Sequence, residues 1–228
     1  MAPTSPKKSG LSFSDRLLLR TAEGRVFDGL WIGVTNVGDH DSADILARVE
    51  TALKVIRTYD PRRYHRLPQY LQRVWVRLQV PGNLGAYNSV LAACELDLRY
   101  VVRPDVQPAD LASTVVHEAT HARLDRFGYT EPIRARIEAA CRDQERAFAD
   151  RLPQPEGDKI REKLRSWEAD KDHSWSDATF RNTYTAGIPE ALRYMKIPKW
   201  LVPVIMMSRE AVIWLRRLTR NVRGRRAA

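Results

Sequence analysis

The sequence predicts an α+β fold, with a small mixed sheet, two adjacent long helices and a helical C-terminal region. Apolar and polar side chains alternate along residues 74–80 and again along residues 95–102, and this period of two is typical of half-buried strands. Residues 108–127 carry the start and stop signals of a long helix. Beyond residue 157 the apolar spacing is helical but irregular, because three prolines interrupt it.

The first elements of the chain have local signals of their own. We expect residues 1–24 to form a flexible tail, because the segment begins with many Pro, Ser, Lys and Gly residues. Residues 26–35 are apolar with two glycines, which indicates a strand or hairpin. Asp41 or Ser42 then caps a helix that ends before Pro61. The apolar stripe of this helix comprises Ile45, Val49, Leu53 and Ile56.

Two longer helices follow the strand over residues 95–102. Pro108 suits the first turn of one helix, and Gly128 is a favourable stop for it. Thr130 can cap the next helix, with Pro132 in its first turn. A short connection of this kind makes consecutive helices neighbours in space.

The composition is that of a folded chain with an excess of basic residues. Hydrophobic residues make up 43% of the 228 residues and charged residues 29%, and these ordinary proportions argue against wholesale disorder. The net charge of +10 favours anionic partners, without choosing between nucleic acid, acidic lipids and acidic proteins. Cys94 and Cys141 are too few for a disulfide framework, and we interpret Cys141 as a small core residue.

The predicted location is the cytoplasm. Two cysteines without a CxxC pattern suit a reducing compartment. The N-terminal region lacks the apolar core of a secretory signal, since its apolar run covers only residues 17–19. The most apolar stretch, residues 200–214, is split by Pro203 and by Arg209 with Glu210, so each piece is too short to span a bilayer.

Residues 117–121 read His-Glu-Ala-Thr-His and match the HExxH pattern. On a helix, positions four apart share one face, so His117 and His121 converge on one point. Zinc binds imidazole nitrogens at about 2.0–2.1 Å, and catalytic sites leave a position for water. Glu118 lies beside the ligand face, where it can take a proton from that water. The pattern therefore predicts a catalytic zinc site, and a chance spacing of two surface histidines is the alternative.

With these residues the chain resembles the zincin metallopeptidases over roughly residues 74–150. It is most similar to the gluzincin branch, in which a Glu on the following helix completes the zinc shell. The longer metzincin pattern does not fit, because Leu124 and Phe127 stand where Gly and His are needed. The resemblance implies a zincin-like metal-binding domain over residues 25–153. We expect residues 154–228 to form a separate helical region with a basic tail.

Glu138 is our candidate for the third metal ligand. It lies on the helix after the motif helix, in a row of residues that borders the apolar stripe and can face inward. Two alternatives stay open. Glu138 can instead pair with Arg134 or Arg142 on a solvated face, or Glu145 can supply the ligand.

The resemblance also implies supporting groups around the metal. A carboxylate usually holds the second ring nitrogen of a metal-bound histidine, and Asp125, one turn after His121, is our candidate; an ordinary surface Asp is the alternative. An edge strand over the cleft would bind an extended peptide, and residues 95–102 are the candidate unless they form an internal strand. An oxyanion-stabilising donor is expected as well, and the sequence does not rank its candidates. These candidates are Tyr129, His173, Tyr184 and Tyr194.

The C-terminal region combines apolar and basic side chains. Residues 200–215 concentrate Trp, Leu, Ile, Val and Met, and six arginines follow between residues 216 and 226. One interpretation, favoured by the usual behaviour of apolar helices, is a helix packed on the metal-binding domain with a solvated tail. The other is an interfacial helix on an anionic membrane surface, which gives peripheral membrane association. We find no zinc finger, RNP motif or basic-region heptad, so nucleic acid is not an expected partner.

The predicted function is a zinc-dependent hydrolase of the metallopeptidase class, with a peptide or protein substrate. Its Zn²⁺ cofactor would be held by His117, His121 and Glu138, with Glu118 as the catalytic base. One alternative is a zincin-like protein that binds zinc without proteolytic activity. The other is a basic module that binds membrane or nucleic acid.

Overall fold

The computed structural model describes residues 13–35, 37–79, 82–169 and 176–207. A five-stranded mixed sheet lies at the centre of its fold. The strands are β1 (Glu23–Phe27), β2 (Leu30–Thr35), β3 (Arg73–Arg77), β4 (Gly85–Asn88) and β5 (Ala93–Asp97). The helices of these residues are α1 (Phe13–Arg20), α2 (Ser42–Tyr59), α3 (Pro61–Tyr64), α4 (Leu67–Tyr70), α5 (Leu98–Val101), α6 (Pro108–Leu124), α7 (Glu131–Ala149), α8 (Glu156–Ala169) and α9 (Asp177–Tyr194). The predicted α+β class and mixed sheet are confirmed.

The strand order of the sheet is β1-β2-β3-β5-β4. β2, β3 and β5 run parallel, whereas β1 and β4 pair antiparallel at the two edges. β4 is therefore the edge strand that contacts α6, the helix with the HExxH pattern. Residues 95–102, our candidate for the edge strand, do not form it, because their strand portion lies in β5 between two other strands.

The strand predicted over residues 95–102 is also shorter than expected. β5 ends at Asp97, whose side chain accepts a hydrogen bond from the Arg99 backbone N–H at 2.8 Å and so caps α5. Leu98 and Tyr100 stay buried within α5. Their apolar side chains therefore continued the alternating pattern past the end of the strand.

One hydrophobic core joins the sheet to the helices. α2 begins after Asp41, whose side chain accepts from the Ala43 N–H at 2.8 Å, so Asp41 is the cap of the two that we considered. The predicted stripe of α2 is buried and comprises Ile45, Val49, Leu53 and Ile56. Ile160 and Leu164 of α8 belong to the same core. The boundary that we predicted at residue 153 thus falls within a single hydrophobic core.

The N-terminal tail predicted over residues 1–24 includes regular structure. Residues 13–20 form α1 and β1 begins at Glu23, while residues 1–12 lie outside the described part of the chain. Leu18 and Leu19 of α1 pack against a small cluster on the second face of the sheet. Removing this apolar surface from water stabilises the segment. The residues that it contacts are distant in sequence, so the local composition of residues 1–24 did not indicate the contact.

α6 and α7 are adjacent helices that carry the HExxH pattern and the residues facing it. α6 begins at Pro108, as predicted, but ends at Leu124 rather than at Phe127, because residues 125–127 tighten into a 3₁₀ turn. Gly128 then adopts a φ of +72°, a conformation that glycine tolerates at low cost. The turn is short, and α7 packs directly against α6.

The C-terminal region is described only in part. Residues 201–207 are helical, whereas the six arginines between residues 216 and 226 lie outside the described residues, as does His173. Within the described ranges, no helix has the length and apolar character needed to cross a membrane.

Candidate metal centre

His117 and His121 lie one turn apart on the face of α6 that borders a cleft. Their Nε2 atoms are 3.1 Å apart, and both rings are largely shielded from solvent. The helix spacing alone brings them this close, since positions four apart stack on one face. Val115 and Val116 on α6 are buried in the core and fix the rotation of the helix.

Glu138 reaches the same point from α7. Its Oε2 atom lies 3.4 Å from His117 Nε2, and its Oε1 atom lies 3.3 Å from His121 Nε2. Ligand atoms held about 2.0–2.1 Å from a tetrahedral zinc ion are themselves about 3.3 Å apart. The three predicted ligands are therefore brought together with the separations that one metal ion requires.

Cys141 also approaches the histidines, one turn after Glu138 on α7. Its Sγ atom and one ligand nitrogen of each histidine lie within 4.8 Å of one another, a grouping that could hold a metal ion. We predicted a small core residue, and Cys141 is fully buried. Burial, reinforced by Glu138 and Glu118, raises the pKa of the thiol, which favours its protonated form.

Neighbouring carboxylates and burial together shift the pKa values of the groups in this site. Burial lowers the pKa of His117, but hydrogen bonds to Glu138 and Glu145 outweigh it and raise the value to about 10. Burial raises the pKa of Glu138, yet its hydrogen bonds to His117 and His121 hold it well below the usual range. A metal ion has to displace the proton from His117, so metal affinity should rise with pH.

Glu145 holds the second ring nitrogen of His117. Its Oε2 atom lies 3.1 Å from His117 Nδ1, and its Oε1 atom accepts a hydrogen bond from the Ser113 hydroxyl at 3.0 Å. This is the carboxylate–histidine arrangement that orients a metal ligand. The sequence suggested Asp125 for that role and Glu145 as an alternative metal ligand. Asp125 instead begins the 3₁₀ turn after α6.

Replacement of Glu145 should weaken metal binding without abolishing it. We expect Glu145→Ala to lower zinc affinity about 10- to 100-fold, because His117 loses its orienting partner. Glu145→Gln, which keeps a hydrogen-bond acceptor, should retain most of the affinity. Competition with a chromophoric chelator measures the difference, and Asp143→Ala, an exposed site on the same helix, is the matched control. Wild-type affinity in Glu145→Ala would exclude an orienting role.

Glu118 lies beside the two histidines and is almost fully buried. Burial raises the pKa of its carboxyl group, while the neighbouring histidines oppose the shift. The first residue of β4, Gly85, passes directly over this carboxylate. A Cβ atom at Gly85 would lie 2.7 Å from Thr114 Cγ2 and 3.2 Å from Glu118 Oε1, so the close approach of β4 requires glycine there.

Among the described candidates for an oxyanion donor, Tyr129 is the one that contacts the predicted metal ligands. Its hydroxyl donates to Glu138 Oε1 at 2.5 Å, and its ring meets the His121 ring edge-on at 5.5 Å between centroids. Tyr184 is exposed on α9, and the Tyr194 hydroxyl contacts His40 at 3.1 Å. The position of Tyr129 depends on the turn after α6, which the sequence pattern did not resolve.

A cleft of about 590 Å³ opens above these residues. β4 and the loop before it form one wall, α6 forms the floor, and α7 and α8 form the opposite wall. The far wall is partly apolar, with Ile137, Ile160, Leu164 and Trp167. The β4 edge therefore borders the cleft beside apolar side chains.

Comparisons with known proteins returned no matching family model, no matching curated protein and no matching solved structure. The geometry defines a candidate metal centre built from adjacent helices beside an edge strand. What this centre does has to be inferred from its own residues.

Proposed function

We propose that this chain is a zinc-dependent hydrolase that cleaves peptide bonds. One observation carries the proposal: His117, His121 and Glu138 surround one point at metal-ligand separations, with the buried Glu118 carboxylate beside it. Three protein ligands leave a fourth position for water, which is the arrangement of catalytic zinc sites. With Glu138 on the helix after the HExxH motif, the chain resembles the gluzincins, in which a Glu at that place completes the zinc shell.

The chain's own residues can carry the proton transfers of hydrolysis. A zinc ion held by His117, His121 and Glu138 would lower the pKa of its water towards about 7 and would polarise a substrate carbonyl. Glu118 accepts the proton that the attacking water releases, and its raised pKa suits a base that must also act as an acid. The same proton then passes to the amine nitrogen as the C–N bond breaks, which regenerates the carboxylate. Tyr129 is our candidate donor to the carbonyl oxygen, a role in which its hydroxyl would exchange its hydrogen bond to Glu138 Oε1 for one to the substrate.

An extended peptide is the substrate class that the cleft favours. β4 is a sheet edge and lines the cleft directly above Glu118. A peptide can pair with such an edge through its backbone, and this pairing places a peptide bond near the metal ligands. Trp167, the half-buried member of the far wall, can contact a side chain of that peptide.

Cleavage of a peptide library by the zinc-loaded chain tests the proposal. We expect cleavage products that disappear on addition of a chelator and return when zinc is restored. A chain that binds zinc stoichiometrically but cleaves nothing would contradict the proposed activity.

Cys141 favours a second candidate function, a zinc-binding protein without hydrolytic activity. If its Sγ atom joined His117, His121 and Glu138, four protein ligands would close the shell and leave no position for water. Such closed sites stabilise a fold instead of performing hydrolysis. Burial raises the pKa of the Cys141 thiol and so favours its protonated form, which is a poorer ligand than a thiolate and favours the open site.

A further inference from the structure

An exposed apolar surface lies at the C-terminal end of the described residues. Trp200 lies in the turn before the helical segment 201–207, and Val204 and Met207 follow it at intervals of four and three, the spacing of one helix face. Their exposed fractions are 73%, 48% and 62%. We call these three residues the C-terminal stripe. On the opposite side of the segment, Ile205 is half-buried.

The stripe differs from the scattered apolar residues found on most protein surfaces. Single exposed apolar residues need no explanation, whereas several on one helix face mark a surface that binds something apolar. The half-buried residues of the same segment, Leu201, Val202, Ile205 and Met206, are compatible with a helix that packs through its other side, and such packing leaves the stripe uncovered. The stripe therefore needs a partner outside the described part of the chain.

Charge identifies the kind of partner. The sequence of residues 208–228 contains seven arginines and a single acidic residue, Glu210. A second copy of the chain would bring two arginine-rich sequences together, which like-charge repulsion disfavours. An anionic bilayer accepts both features, since phosphates attract arginine and the interface accommodates tryptophan.

We propose that the C-terminal stripe and the arginine-rich sequence after it attach this chain to the surface of an anionic lipid bilayer. The stripe enters the headgroup region, and the arginines contact lipid phosphates. In this mode of attachment the segment lies at the bilayer surface and does not cross the bilayer. It is independent of the proposed hydrolase activity, because no metal ligand lies on this segment.

Co-sedimentation of the full chain with vesicles tests the proposal. We expect binding to vesicles of phosphatidylglycerol with phosphatidylcholine, little binding to phosphatidylcholine alone, and weaker binding at high salt. Trp200→Ser with Val204→Ser and Met207→Ser should reduce affinity at least about 10-fold, since three apolar side chains leave the interface. The matched control replaces Leu17 and Val26 with Ser, which are 53% and 71% exposed elsewhere on the surface. Zinc content should be unchanged in both variants.

Several results would overturn the bilayer proposal. One is full-length chain that stays in the supernatant with anionic vesicles at low salt. The other is a dimer in light scattering that the triple serine variant dissociates, which would assign the stripe to self-association. Equal vesicle binding by the triple variant and the wild type would also remove the stripe from the interaction.

Discussion

Glu118→Gln should keep zinc and lose at least about 100-fold in peptide turnover. Removal of a general base typically costs 10²- to 10⁴-fold, and an amide cannot accept the proton that the water releases. The substitution preserves the shape of the side chain. Because Glu118 is buried and its pKa is raised, a neutral amide resembles the protonated acid and should not disturb the fold.

The measurement is the cleavage rate of the best peptide from the library, with both proteins at equal zinc content. Glu131→Gln, at an exposed site in the first turn of α7, is the control and should cleave like the wild type. Equal turnover by Glu118→Gln and the wild type would remove Glu118 from the mechanism, even if the zinc site is correct.

Glu138→Ala should weaken zinc binding by at least about 10-fold, the scale of losses caused by groups that only support a ligand. The expectation follows from the 3.3 and 3.4 Å separations between its carboxylate oxygens and the two histidines. Cys141→Ser should change zinc affinity much less, because burial and nearby carboxylates raise the pKa of the thiol and so favour its protonated form.

Comparison of the two variants decides between an open and a closed metal shell. Zinc affinity is measured by competition with a chelator, and the cobalt-substituted wild type is examined for thiolate-to-metal absorption. A loss in Cys141→Ser as large as that in Glu138→Ala, together with a thiolate band, would establish the closed shell and exclude the proposed hydrolysis.

Local patterns predicted much of the fold. The α2 stripe, its Asp41 cap and the start of α6 at Pro108 all depend on residues close together in sequence, and the structure contains each of them. β4 was not predicted as a strand, because it has only four residues and begins at Gly85. Its pairing with β5 depends on the sheet and not on its own composition.

The candidate site was predictable to the extent that helix geometry determines it. His117 and His121 had to converge, because both lie on one face of one helix. Glu138 was chosen among several carboxylates, and the structure brings it to the histidines. The contacts of Tyr129 and Glu145 could not be derived, since they depend on the angle between α6 and α7. The same angle brings Cys141 close to the metal ligands.

Zinc content, measured by elemental analysis of chain purified without a histidine tag, tests the metal centre most directly. The account predicts one zinc ion per chain in the wild type after equilibration with zinc. It predicts none in the His117→Ala, His121→Ala double variant, which loses both nitrogen ligands. Full zinc occupancy in that double variant, or an empty wild-type chain after equilibration, would contradict the zinc site on which the proposed function depends.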